Sequence, residues 1–125
     1  MFSIEKSIDE AQGITTLEFR GELSLKVTLD TLEEFYSQPT KHLIWDITRA
    51  DIQTATTDDL KKIVSVTKSH AKSRPGGKTA ILGNSDLQYA LGRMYATFCE
   101  FERHPIEISV FRNLDSAMQW LQSPD

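Results

Sequence analysis

The sequence predicts an α/β fold, a single mixed, largely parallel sheet of about five strands carrying about four helices. Three observations lead there. The opening segment alternates apolar and polar residues with period two; from Ser24 onward helical stripes alternate with short apolar runs; and Pro, Gly or a capping residue marks each change of period. Strand, strand, helix and then three strand–helix units is the order of a mainly parallel sheet. The 125 residues are one domain's worth of chain, read as a single domain over 1–125. With 39% hydrophobic and 26% charged residues, the composition is that of an ordinary core-forming protein, not a disordered one.

Phe2, Ile4 and Ile8 alternate with Ser3, Glu5, Ser7 and Asp9, which predicts a strand with one buried face. Glu10 to Gly13 supplies a turn, and Ile14, Leu17 and Phe19 against Thr16, Glu18 and Arg20 complete an antiparallel hairpin ending at Gly21. Leu25, Leu29, Leu32 and Tyr36 then share one helical face, and Pro39 stops that helix. His42 to Ile47 is apolar without alternation, as a central strand is. Thr56 with Asp59 three residues on announces the second helix, whose inner stripe is Leu60, Ile63, Val64 and Thr67. Thr79 to Leu82 is a short buried strand. Ser85 with Gln88 caps the longest helix, with a predicted inner stripe of Leu87, Leu91, Met94, Phe98 and Phe101. After Pro105 come the last strand, Ile106 to Val110, and a final helix capped by Asn113 and bearing Leu114, Ala117, Met118 and Leu121.

Charge and cysteine usage narrow the function. A net charge of −4 argues against binding nucleic acid, which needs a basic footprint. The single Cys99 has no disulfide partner, and the N-terminal residues carry charge where a signal peptide would be apolar, so the expected location is cytoplasmic. No stretch approaches the ~20 apolar residues of a membrane span.

The motifs point away from catalysis. Gly77-Lys78-Thr79 lacks the first glycine of a phosphate loop, and it runs from helix into strand where a phosphate loop runs from strand into helix. His42, His70 and His104 lie in different elements without metal-ligand spacing and read as solvated surface residues; no metal or cofactor is expected. Cys99 lies late in a helix beside Glu100 and reads as a structural thiol. Asp58-Asp59 and Glu33-Glu34 are neighbours pointing in different directions, and no nucleophile elbow occurs. Two constellations remain. Trp45, Met94, Tyr95 and Phe98, with Trp120, are the residue types that line an adaptable apolar pocket, or a plain core. Opposite the predicted inner stripe of the long helix, Tyr89, Gly92, Arg93 and Ala96 combine small residues with an aromatic and a guanidinium, a candidate surface for a protein partner or a second copy.

Trp45-Asp46-Ile47-Thr48, Thr79 to Leu82 followed by the helix holding Gly92-Arg93-Met94-Tyr95, and the closing Val110-Phe111-Arg112-Asn113-Leu114 through Trp120-Leu121 together resemble the SpoIIAA-like family of small bacterial proteins. The resemblance spans almost the whole chain and is most specific in its C-terminal part. It implies the fold shared by STAS domains and CRAL-TRIO lipid-binding modules. It also implies two functions: carriage of a nonpolar molecule, or STAS-type regulation by phosphorylation in the turn after the central strand. Here that turn, Asp51 to Asp58, has Thr54, Thr56 and Thr57 as acceptors in place of an Asp-Ser pair and a glycine. The reading is a non-enzymatic bacterial domain that binds a small nonpolar ligand or a protein partner, as a dimer, with the phospho-regulated module as the alternative.

Overall fold

The computed structural model describes residues 2–124. A five-stranded sheet runs in the order β1-β2-β3-β4-β5. β1 (Phe2–Asp9) and β2 (Ile14–Glu22) form the antiparallel hairpin; β3 (His42–Asp51), β4 (Lys78–Leu82) and β5 (Glu107–Phe111) add in parallel, one after another. The crossovers are α1 (Leu25–Ser37), α2 (Thr57–Ser69, followed by a short 3-10 turn) and α3 (Asp86–Phe101), and α4 (Leu114–Gln122) follows β5. Crossovers of one hand between successive neighbours put α1, α2 and α3 on the same face of the sheet.

Side chains leave the strands alternately, so each face has its own core. Leu17, Phe19, Leu43, Trp45, Ile47, Ile81 and Val110 point under the three crossover helices, whereas Ile14, Ile44, Ala80 and Leu82 meet Ala117 and Leu121 of α4. Phe19 stacks on Trp45 at 4.9 Å. Every residue of β4 is buried, as a central strand covered on both faces should be. β1 departs from expectation: as the edge strand it leaves Phe2 50% and Ile8 46% exposed, and only Ile4 packs against the core.

The local start signals hold. Ser24, Thr56, Ser85 and Asn113 each accept a backbone N–H in the first turn of the following helix, and at Thr56–Asp59 and Ser85–Gln88 the reciprocal bond closes the capping box. In α1 the buried face is Thr28, Thr31, Leu32 and Phe35, turned from the predicted stripe. The two threonines are tolerated inside because each hydroxyl donates to the carbonyl four residues back, Ser24 O and Val27 O.

The long helix differs most. Its inward residues are Gln88, Gly92, Tyr95 and Cys99, while Leu87, Met94 and Phe101 are 59, 43 and 84% exposed. Gly92, expected on the outer face, lies on the sheet: a Cβ there would sit 2.9 Å from Val110 Cγ1 and 3.2 Å from Ile81 Cγ2. The helix is rotated because its smallest residue allows the closest approach to β4 and β5, and sheet contact outweighs the larger but more peripheral Leu87 and Phe101.

Candidate functional site

The parallel strands point their C-terminal ends toward the start of α2 and α3, and there α1, α2 and α3 line a small, open apolar cavity of about 70 Å³. Leu23 and Thr28 form one wall, Leu60 and Ile63 another, Leu91, Gly92 and Tyr95 a third, and Trp45, Ile47 and Ile81 the floor. Of the apolar set read from the sequence, Trp45 and Tyr95 line this space. Met94 faces outward and Phe98 is half-buried beneath the Lys61 ammonium, 5.6 Å from its ring. Trp120 lies on the other side of the sheet, against Phe111.

One buried side chain holds this end of the molecule together. Gln88, 8% exposed, accepts the N–H groups of Asn84 and Ser85 at Oε1 and donates through Nε2 to the carbonyls of Thr48 and Ala50. It therefore ties the start of α3 to the end of β3. The capping-box spacing revealed its first task; the second required knowing that β3 passes beside it.

Farther along α3, Thr67 of α2 is the hub of a saturated network. Its hydroxyl donates to Val64 O and stands 3.0 Å from Tyr95 OH and 2.9 Å from His104 Nε2. With the proton committed to the carbonyl, the tyrosine hydroxyl and an Nε2–H are both donors to it. His104 Nδ1 accepts the N–H of Ile106, consistent with that tautomer. Arg103, at φ 54°, makes the left-handed turn after α3 that brings His104 back under α2. Burial, and then the charges of Arg74 and Lys68, lower the His104 pKa from 6.5 to about 4. The expectation of solvated histidines thus fails at His104, and at His42, which is 9% exposed. His70 is exposed and stacks on Tyr36.

Cys99 is buried beneath the same helix, and burial raises its thiol to about 12, so it remains a protonated packing group. Among the described residues no group of three His, Cys, Asp or Glu side chains is placed to hold a metal ion, and no helix is long and apolar enough to cross a membrane.

The turn from β3 into α2 exposes Thr54, Thr56 and Thr57. Thr56 Oγ1 accepts the Asp59 N–H at 3.1 Å, and Thr54 Oγ1 stands 3.4 Å from Glu22 Oε1. Thr57 opens α2 with Asp58 and Asp59 following it. On the adjoining helix, Leu87, Met94 and Phe101 repeat every seven residues along the solvent side, and Arg93 is exposed beside them. Tyr89 and Ala96 are half-buried, with the Arg112 guanidinium 4.5 Å over the Tyr89 ring. The partner surface expected at Tyr89, Gly92, Arg93 and Ala96 therefore has only Arg93 fully outside, whereas the three large apolar residues predicted to be core lie exposed.

The architecture has close counterparts among solved structures. An uncharacterised protein of the DUF3478 family with a SpoIIAA-like fold, from Shewanella loihica PV-4, superposes with a TM-score of 0.60 at 19% identity, covering 96% of this chain and 93% of that one. An anti-sigma factor antagonist from Mycobacterium paratuberculosis superposes with a TM-score of 0.59 at 15% identity, covering 98% and 96%. The chain has the SpoIIAA-like, STAS-type fold. No family model matches its sequence, and no curated protein matches it. At such identities the likeness is one of architecture, reached along nearly the full length of all three chains.

Proposed function

We propose that this SpoIIAA-like domain is a non-enzymatic protein-interaction module, of the kind an anti-sigma factor antagonist represents, and that it presents the outer face of α2 and α3 to a protein partner. The observation that carries the reading is the exposed Leu87, Met94 and Phe101 series beside the threonine-bearing turn. Exposed large apolar residues at one spacing on one helix are the chemistry of a partner surface. Of the three threonines, Thr57 is the acceptor we assign. The Thr56 oxygen is committed to its cap, and a phosphate at Thr57 would meet the helix N-terminus favourably but Asp58 and Asp59 unfavourably, a balance suited to a reversible change of surface.

Carriage of a long nonpolar molecule draws less support. The cavity's 70 Å³ is about half of the ~150 Å³ that accommodates one benzene, and well below the ~300 Å³ at which ligand pockets begin. A lipid chain would have to part α1 from α2 and α3.

The test is affinity capture from the native host followed by exchange with Met94→Glu/Phe101→Glu protein of unchanged circular dichroism. A defined protein retained by the wild type and lost by the double variant, with Thr57→Glu altering its affinity, is the expected result. Retention unaffected by the double variant, together with saturable binding of long-chain apolar probes, would replace this reading with the carrier.

A further inference from the structure

A second cavity lies at the opposite end of the sheet, where the strands β2, β3 and β4 begin. It measures about 410 Å³ and is lined by Gln12, Lys41, His42, Gly76, Lys78 and the end of α4 at Leu121 to Pro124. Three loops far apart in sequence are locked around it. Arg74, 2% exposed, donates Nε to Lys41 O and its two terminal nitrogens to Thr79 Oγ1 and Lys78 O, and no carboxylate pairs with it among the described residues. Gly77 lets the 74–78 loop lie against the Lys41 carbonyl, where a Cβ would come within 2.2 Å. Lys78 Nζ donates to Trp120 O and Ser123 O, which fixes the end of α4 as the rim.

His42, in the lining, has one ring nitrogen without a protein partner among the described residues. His42 Nδ1 accepts the Lys78 N–H at 3.1 Å, so in the neutral ring the proton is on Nε2. Although His42 is 9% exposed, Nε2 has no protein partner among the described residues and is not sealed from solvent. The side chain of Lys41 crosses Gly76 beside it and is exposed. None of the described lining residues is acidic. Burial, followed by the positive charges of Lys41, Arg74 and Lys78, lowers the His42 pKa, and the Lys78 N–H bond is the other group facing the ring.

We propose that this cavity binds a small oxyanion, a carboxylate or phosphoryl group on a polar stem, held by His42 Nε2–H and the Lys41 ammonium against the floor that Arg74 braces. A volume of 410 Å³ is in the range of small-molecule sites. The Gln12 and Gln122 side chains, hydrogen-bonded to each other across the mouth, offer further amide groups to the stem. This site is remote from the α2–α3 face and stands or falls independently of it. The Gly-Lys-Thr segment and the Gly76 before it contribute here without being a phosphate loop: Gly76 and Lys78 line the wall, and the anion faces side chains where a phosphate loop offers a helix N-terminus.

The experiment titrates inorganic phosphate and, separately, succinate into the isotopically labelled full chain, with sodium chloride at matched ionic strength as control, while the His42 ring and the amides of Gly76, His42 and Lys78 are followed by NMR. The expected result is saturable shifts with at least one probe in the millimolar range, a raised His42 pKa in the complex, and binding at least fivefold weaker in Lys41→Met. Saturation by phosphate alone assigns a phosphoryl ligand, and by succinate alone a carboxylate. Shifts that sodium chloride reproduces, or affinities unchanged in both Lys41→Met and His42→Gln, overturn the proposal.

Discussion

Replacing Gly92 with alanine distinguishes a helix lying on its sheet from a helix facing solvent. On an exposed helix the change would stabilise by about 1 kcal/mol, because alanine loses less backbone entropy. Here the new methyl carbon would be 2.9 Å from Val110 Cγ1 and 3.2 Å from Val110 Cγ2 and Ile81 Cγ2, against the ~3.5–4.0 Å of normal carbon contacts. Val110 and Ile81 are β-branched, 8% and 6% exposed, and held in paired strands, so neither can swing aside as a long flexible side chain could. Overpacking of this kind costs about 1–3 kcal/mol, and subtracting the helical gain leaves a net loss of about 1 kcal/mol. Urea unfolding of the wild type and Gly92→Ala measures it, with a fall in Tm of about 4 °C as the thermal counterpart. A Val110→Ala background should remove the two Val110 contacts and leave only Ile81 Cγ2 at 3.2 Å, so that Gly92→Ala costs less there than in the wild type. An alanine variant more stable than the wild type by 0.5 kcal/mol or more, roughly the free-helix value, would refute the placement of α3.

Two further outcomes follow from the buried polar groups. His104 has a folded pKa of about 4, below its ordinary 6.5, so between those values the unfolded chain binds a proton that the folded chain refuses. Stability is therefore complete above about pH 6.5 and falls as the pH drops toward 4, by at most about 3 kcal/mol over the window; urea unfolding at pH 7.5 and 4.5 checks this, and a His104→Gln variant with the full wild-type pH dependence would exclude His104 as its source. Gln88→Ala removes the partners of two N–H groups and two carbonyls at the β3–α3 junction and should cost about 2–3 kcal/mol, with faster hydrogen exchange at Asn84 and Ser85; a loss under 0.5 kcal/mol would show that water satisfies those groups equally well.

The residues legible in advance were those whose role is local. Ser24, Thr56, Ser85 and Asn113 cap the helices that follow them because a side-chain oxygen reaches an N–H only two or three residues away. The alternation of β2 and the apolar Ala80-Ile81-Leu82 run of β4 likewise give strand position directly, since burial on one or both faces acts on each residue in turn. That is enough to order the elements and predict a mixed, mainly parallel sheet. The rotation of α3 was not available from hydropathy. Its apolar arc is wider than the face the sheet covers, running from Leu87 and Met94 round to Tyr95 and Cys99, and the residues that decide the contact, Gly92 and Gln88, carry little hydropathy signal. Gly92 read as part of a partner surface, and only the packed molecule shows that its neighbours are the chain's own β4 and β5. His42 and His104 read as surface residues because their partners, Lys78 and Thr67, lie more than thirty positions away in sequence. Cavity size is also a tertiary quantity: Trp45 and Tyr95 suit a pocket or a core equally, and the difference is the distance between α1, α2 and α3, which packing fixes and no single segment encodes.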